Sequence, residues 1–233
     1  MRYMDNIKER KVYDIFERIA AGYDRANTRI SLGLHKQWKK MLTQRLIQNT
    51  PFHSRLLDVC CGTGDIALQV AQQRSDLYVV GLDFSPAMLA EAKRKASGNV
   101  QFVQGNAMSL PAADNTYAAA CISFGLRNTA DYVRTLQEML RVVKSGGYIY
   151  CLDSFVPDNP LIRPFYRIYF RFLMPLFGGG FSGAQEYRWL YESTEHFLRK
   201  RELAQLFRCI GIKEIETESK MFGACALVWG KKE

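Results

Sequence analysis

Between residues 55 and 155 the apolar positions alternate between two rhythms. Short, nearly continuous apolar runs bounded by turn residues predict buried strands at about 55–60, 78–83, 100–104, 118–123 and 147–153. Between them, apolar residues recur at helical spacing and predict helices near 65–73, 86–97 and 131–143. Ser85-Pro86 supplies a capping hydroxyl followed by proline at the first helical position. Lys144-Ser145-Gly146-Gly147 is expected to end the last of these helices and turn into the next strand. Such alternation implies a parallel sheet with helices on both faces, and a ligand outside the carboxyl ends of its strands.

On either side of this region the pattern differs. Val12, Ile15, Phe16 and Ile19 keep helical spacing, Gly22 interrupts it, and Trp38, Leu42 and Leu46 resume it, so residues 1–50 read as a helical cap. Residues 156–198 are dense in aromatics and arginines and fit no strand alternation, which makes them an inserted lid. A helix near 200–210 and strands near 212–219 and 224–230 then predict an antiparallel pair closing a mixed sheet. The whole of 1–233 is expected to form a single domain.

Composition narrows the class. Hydrophobic residues make up 48% and charged residues 24% of the 233, ordinary for a soluble globular protein with a sizeable core. No apolar run is long enough for a transmembrane helix, and the charged N-terminal stretch has no signal-peptide core, so a cytoplasmic location is expected. The six cysteines lack the spacing of a zinc site or a disulfide framework and read as reduced thiols; no metal is expected. The net charge of +9 is scattered. It is compatible with simple solubility or with an anionic membrane surface. Without an arginine-rich tail or a recognition module, nucleic acid is not an expected partner.

The chemistry concentrates at LLDVCCGTGDIALQV (56–70) and VVGLDFS (79–85). The first reads strand, glycine turn, helix; the second ends a strand on Asp83. The turn is not the dinucleotide G-x-G-x-x-G pattern but D-x-C-x-G-x-G, the acidic, glycine-rich loop of S-adenosylmethionine enzymes with Cys60 in the first glycine position. Gly62, Thr63 and Gly64 would surround the methionine part of that cofactor, and Asp58 would brace the loop or act as a cap. Asp83 would accept hydrogen bonds from a ribose diol. Asn106 and Ala107 follow the third strand, where they would read an adenine edge or simply form a turn. Ser123, Arg127 and Asn128 follow the fourth strand on the same edge. Tyr23, Asp24, Asn27, Ser31, His35 and Trp38 form a polar and aromatic cluster in the N-terminal region. In the lid, Arg163, Arg167 and Arg171 share a helical stripe beside Phe165, Tyr166, Tyr169, Phe170, Phe172 and Phe177. That arrangement suits core packing with a basic face, a greasy substrate near anionic headgroups, or base stacking.

YDRANTRISLGLHKQW (23–38) resembles the Y-D-x-M-N-x-x-[apolar]-S-x-x-x-H-x-x-W signature of the ubiquinone/menaquinone C-methyltransferases, with Ala26 in place of methionine. GNAMSLP (105–111), FGLRN (124–128), RVVKSGG (141–147), YFRFLMPLFG (169–178) and EYRWLYES (186–193) are similar to that family too. Ser145, Asp153, Ala112 and Ala118 depart from its usual proline, glutamate, phenylalanine and aspartate. The resemblance implies a class I S-adenosylmethionine-dependent methyltransferase fold, α/β and Rossmann-like. It implies Thr63, Asp83, Asn106, Ala107 and Ser123 as cofactor residues, with Arg127, Asn128 and Tyr23 at the chemistry. The implied reaction is C-methylation of a prenylated naphthoquinol, demethylmenaquinol. The basic charge and the aromatic, arginine-rich lid allow a peripheral setting at the inner face of the cell membrane, and a homodimer is allowed as the assembly. Other readings are a methyltransferase for another small aromatic or lipid, an RNA methyltransferase, and a silent cofactor-binding partner.

Overall fold

The computed structural model describes residues 7–169 and 184–233. Its centre is a seven-stranded sheet in the order β3-β2-β1-β4-β5-β7-β6. The strands are β1 (Arg55–Val59), β2 (Tyr78–Asp83), β3 (Val100–Gln104), β4 (Tyr117–Ser123), β5 (Val143–Ser154), β6 (Ile212–Lys220) and β7 (Cys225–Lys232). Pairings among the first five are parallel, whereas β7 runs antiparallel to both β5 and β6. This is the mixed sheet that the apolar rhythm predicts. The expected turn at Lys144–Gly147 is instead part of β5, which starts at Val143 and pairs with Tyr117 across a register shift. Gly147 is crowded there: a Cβ at that position would lie 2.4 Å from the Ala118 carbonyl oxygen.

Because side chains alternate along a strand, the sheet divides the core in two. Leu56, Val79, Ala119, Cys121, Tyr150 and Leu152 face α3 (Leu34–Asn49), α4 (Asp65–Gln73) and α5 (Pro86–Lys95). Leu57, Val59, Leu82, Ile122 and Ile149 face α6 (Tyr132–Val142) and α9 (Lys200–Cys209). The helix starts are sequence-local. The Ser85 hydroxyl accepts from the Met88 N–H ahead of Pro86, and the Asp131 carboxylate accepts from the Arg134 N–H.

Helices α1 (Ile7–Ile19) and α2 (Tyr23–Ile30) lie over the carboxyl edge, which the N-terminal half of α3 also reaches through Lys39. The Ser85 hydroxyl donates to Glu17 of α1 at 2.6 Å, and the Ala87 N–H donates to the same carboxylate. On α2, the Asp24 carboxylate accepts from the Thr63 hydroxyl at 2.7 Å and from Lys95 at 3.0 Å. Lys39 of α3 meets Asp65 at 2.7 Å. Burial opposes the charge on Lys39, but Asp65 outweighs it and holds the ammonium above its ordinary pKa.

The described parts of the lid region are α7 (Arg163–Ile168) and α8 (Ala184–Glu195). The Tyr169 hydroxyl donates to the Ile30 carbonyl at 2.7 Å, tying this segment to the cap. The expected arginine stripe is partly consumed internally, since Arg167 pairs with Glu195 at 3.1 Å. Phe170, Arg171, Phe172, Phe177 and most of YFRFLMPLFG lie outside the described residues. Among the described residues no helix is long and apolar enough to cross a membrane.

Candidate active site

The β1–α4 turn is built on left-handed backbone. Cys60, Gly62 and Gly64 have φ of +55°, +55° and +84°. Glycine takes that conformation without penalty, whereas Cys60 holds it at a strain of about 1 kcal/mol. The turn opens a cavity of about 720 Å³ lined by Cys60, Gly62, Asp83, Phe84, Asn106, Ala107, Met108, Ser123 and Asn128, among others.

Asp83 stands at the tip of β2, 5% exposed. Its carboxylate accepts from the Gly62 N–H at 2.8 Å and the Ser85 N–H at 2.9 Å, which aims it across the turn. Burial raises its pKa to about 6, against the lowering effect of those two bonds. The Ser123 hydroxyl is buried on the same wall without a hydrogen-bond partner among the described residues. An unpartnered buried hydroxyl is costly in a finished fold, so a polar ligand that supplies the missing bond fits this cavity. The Asn106 side-chain oxygen accepts from the Met108 N–H at 2.9 Å, so the asparagine forms the tight turn after β3 and also belongs to the cavity wall.

Three of the expected cofactor residues sit behind the wall. The Asp58 carboxylate is 1% exposed and accepts from the Ala67 N–H at 3.2 Å and the Cys121 thiol at 3.5 Å. It caps α4 and holds the turn against the sheet, and burial pushes its pKa up to about 7. Thr63 spends its hydroxyl on Asp24. Gly64 packs beneath Phe102, whose ring lies 2.7 Å from where a Cβ would stand. The structure therefore gathers Gly62, Asp83, Asn106, Ala107, Ser123, Tyr23 and Asn128 around one cavity and leaves Asp58, Thr63 and Gly64 as its support.

A second cavity, about 1260 Å³, adjoins the first and is mostly apolar. Ile30, Leu34, Trp38, Pro157, Ile162, Phe165, Tyr166 and Leu190 contribute to its wall, together with His35 and Arg127. Tyr23 and Phe124 line both cavities and form the partition between them. Phe124 holds a left-handed φ of +57°, which turns the chain after β4 and puts its ring at the boundary.

Arg127 is 6% exposed, and its Nη1 donates to the Asp153 carboxylate and, at 3.0 Å, to the Phe124 carbonyl. Its backbone N–H donates to the other Asp153 oxygen at 3.3 Å. The Asn128 amide donates to Phe124 O at 3.3 Å, and its oxygen accepts from the Trp189 indole at 3.1 Å. Both side chains are thereby fixed at the partition. Sequence reasoning did not single out Glu9, Phe84, Met108 or Leu190 as wall residues, nor Glu17 as the clamp on α5. The apolar spacing of Val12 and Phe16 on α1 was the available signal, but it did not say what they cover. Among the described residues no group of three histidine, cysteine or acidic side chains is placed to hold a metal.

A family model described as the ubiE/COQ5 methyltransferase family matches residues 4–232. The chain is 43% identical over 235 residues to the demethylmenaquinone methyltransferase of Bacillus mycoides, covering 98% of each. It is 40% identical over 229 residues to that of Staphylococcus saprophyticus, covering 97% of each. Among solved structures, a SAM-dependent methyltransferase of Thermotoga maritima, a possible histamine N-methyltransferase, superposes with a TM-score of 0.66 at 19% identity, covering 95% of this chain and all of that one. A match along nearly every residue, over a fold that the solved neighbour shares, shows that the chain belongs to the ubiE/COQ5 methyltransferase family.

Proposed function

We propose that this chain moves a methyl group from S-adenosylmethionine to a ring carbon of a prenylated demethylmenaquinol, giving menaquinol. The observation that carries the reading is the pair of adjoining cavities, one beside the Gly62 turn and Asp83 and one walled mainly by apolar side chains of the cap and lid, which share Tyr23 and Phe124 in their walls. That arrangement suits two substrates that meet at a single partition, and relatives carrying the name demethylmenaquinone methyltransferase at 40–43% identity support it.

S-adenosylmethionine, when bound, supplies a sulfonium-linked methyl group. Asp83 would hold the ribose hydroxyls, Asn106 and Ala107 the adenine edge, and Ser123 would gain its missing bond. The backbone of Gly62 lets the ligand approach the turn closely. The acceptor carbon is a poor nucleophile until the neighbouring phenol loses or shares its proton, so the reduced quinol is the reactive form. Arg127 stays protonated and is no base. Aimed by Asp153, it stabilises the phenolate oxygen. Asn128, pinned by Trp189 and Phe124, holds the ring oxygen or a water. Tyr23 aligns the ring at the partition, where positioning contributes much of the rate.

The mouth of the apolar cavity supports a membrane-surface role. Leu32, Phe165 and Phe222 are 68%, 74% and 77% exposed and line that cavity. Leu32, Met221 and Phe222 all hold left-handed φ, an unusual conformation for bulky residues that persists where the surrounding fold imposes it. Arg29 and Lys36, both exposed, flank Leu32. An apolar rim beside cations fits an anionic bilayer surface that delivers a prenylated ring. We read residues 1–50 as the cap and 156–198 as the lid of one domain spanning 1–233. In a homodimer, the second copy would have to leave this rim uncovered.

Purified protein incubated with labelled S-adenosylmethionine should methylate chemically reduced demethylmenaquinone and not the oxidised form, as read by mass spectrometry. No product with either form, from protein that binds the donor, overturns the acceptor assignment. Replacing both Leu32 and Phe222 with serine should reduce sedimentation with anionic vesicles while leaving donor affinity unchanged. Undiminished sedimentation removes the rim from the interface.

A further inference from the structure

We infer that His35 is the proton acceptor for the quinol and that its ring nitrogens are assigned fixed roles by Ser31. This rests on the quinol reading above. It follows from counting protons at one hydroxyl.

Ser31 Oγ lies 2.7 Å from the Asn27 carbonyl oxygen and 2.7 Å from His35 Nδ1. The carbonyl can only accept, so the single hydroxyl proton goes to Asn27. The second contact is then a hydrogen bond only if Nδ1 carries a proton and donates it to Ser31. The His35 backbone N–H also points to the same oxygen at 3.4 Å, using its remaining acceptor capacity. In this arrangement the neutral imidazole has its proton on Nδ1 and its free electron pair on Nε2. None of the hydrogen bonds found among the described residues engages Nε2.

The location fits proton removal. His35, 7% exposed, is part of the wall of the apolar cavity that Arg127 and Tyr23 also line. It is also part of the wall of a shallow external cleft lined by Asp24, Arg25, Lys36, Lys40, Asp65 and Gln69. His35 therefore borders both the space assigned to the quinol and the external cleft. Charged groups face it from three helices: Lys36 and Lys39 on α3, Asp24 on α2 and Asp65 on α4. Burial and Lys39 lower the imidazole pKa, which Asp65 and Asp24 partly offset, and the ring stays neutral near pH 7. A neutral, oriented imidazole is a competent base, whereas the guanidinium across the cavity is not.

In the proposed step the phenolic O–H bond breaks, and its proton passes to the Nε2 electron pair. The oxygen's electrons conjugate to the ortho carbon, which forms the new C–C bond as the methyl–sulfur bond breaks. That carbon then loses its hydrogen as a proton, restoring the aromatic ring, and the phenol is reprotonated. One net proton leaves, through the imidazolium and the external cleft.

The first test needs no turnover. Nitrogen-15 correlation spectra of histidine-labelled protein, without ligands at pH 7.5, should show His35 as the Nδ1–H tautomer, and Ser31→Ala should shift it toward the Nε2–H form common in water. Detection of Nε2–H in the wild-type protein overturns the proposal. The second test compares His35→Gln with wild type on reduced demethylmenaquinone. Turnover should fall at least 100-fold at pH 7 with donor affinity within twofold. The variant should lose the acidic limb of the wild-type pH profile, and added imidazole should restore part of the rate. A variant that retains both rate and acidic limb sinks the proposal. A wild-type protein inert toward the quinol would instead fault the acceptor reading, leaving the tautomer result to stand alone.

Discussion

The Arg127–Asp153 pair offers the sharpest stability test. Asp153 is fully buried and accepts from Arg127 Nη1, from the Arg127 N–H at 3.3 Å and from the Ser154 N–H at 2.8 Å. Arg127 is itself buried, and its Nε has no partner among the described residues. Asp153→Ala removes the carboxylate that pairs with Arg127 among the described residues and leaves the guanidinium desolvated. Breaking a buried pair from one side costs about 3–5 kcal/mol. Against a total stability of about 5–15 kcal/mol, that is a large fraction. For a chain of this size each kcal/mol moves the midpoint by about 2–4 °C, so a fall of roughly 6–20 °C is expected. Asp153→Glu keeps the charge beside Arg127 and should lose less than Asp153→Ala, with the cost of one added methylene in a buried site at about 1–3 kcal/mol. Urea unfolding followed by circular dichroism gives the free energies, and calorimetry with S-adenosylmethionine separates the cofactor cavity from the partition. Turnover should fall much further than donor affinity, because Asp153 aims Arg127 at the second cavity rather than the first. A loss of less than about 1 kcal/mol in Asp153→Ala, or equal losses of affinity and turnover, would refute this account of the pair.

Three further outcomes are expected. Donor affinity should weaken as pH falls below about 6, by up to about tenfold per pH unit, because ribose hydroxyls donate to the ionised form of Asp83 and its pKa is raised by burial. Asp83→Asn should bind more weakly and lose that dependence; an unchanged pH profile in isothermal titration removes Asp83 from the ribose site. The buried Asp58 ionises at about 7 in the folded protein and near 3.8 in the unfolded chain, so the folded state binds more protons across that window. Stability should therefore fall as pH rises through it, by up to about 1.4 kcal/mol per pH unit, and Asp58→Asn should flatten the slope in urea titrations. At Gly125 a Cβ would lie 2.6 Å from Cys60 Cβ, so Gly125→Ala should cost about 1–3 kcal/mol. Adding Cys60→Gly removes the clashing atom and a strained left-handed residue together, and should recover most of the loss; a double variant no more stable than Gly125→Ala denies the contact its role.

Much of this molecule is determined by local pattern. A parallel strand buried on both faces needs a continuous apolar run, and an amphipathic helix needs apolar residues every three or four positions. The alternation from 55 to 155 and the closing antiparallel pair were therefore readable in one dimension. Asp83 at a strand tip and the turn from Cys60 to Gly64 were readable for the same reason, since their chemistry lies within a few residues of the elements that aim them. The start of β5 at Val143 was not. Gly146 and Gly147 carry a turn signature, and only pairing with Tyr117 across the register shift draws them into a strand. Nor could the sequence tell which loop residues touch a ligand and which support them. Asp58 turns into the sheet to cap α4, and Thr63 is taken by Asp24, a residue 39 positions away. The partition itself is a product of tertiary structure alone, since it is the docking of α2 across the sheet edge that brings Tyr23 beside Gly62 and Phe124. Sequence determines which groups a segment offers and how they repeat; which of them face one cavity depends on packing between distant segments, where each contact is chosen by the whole core at once.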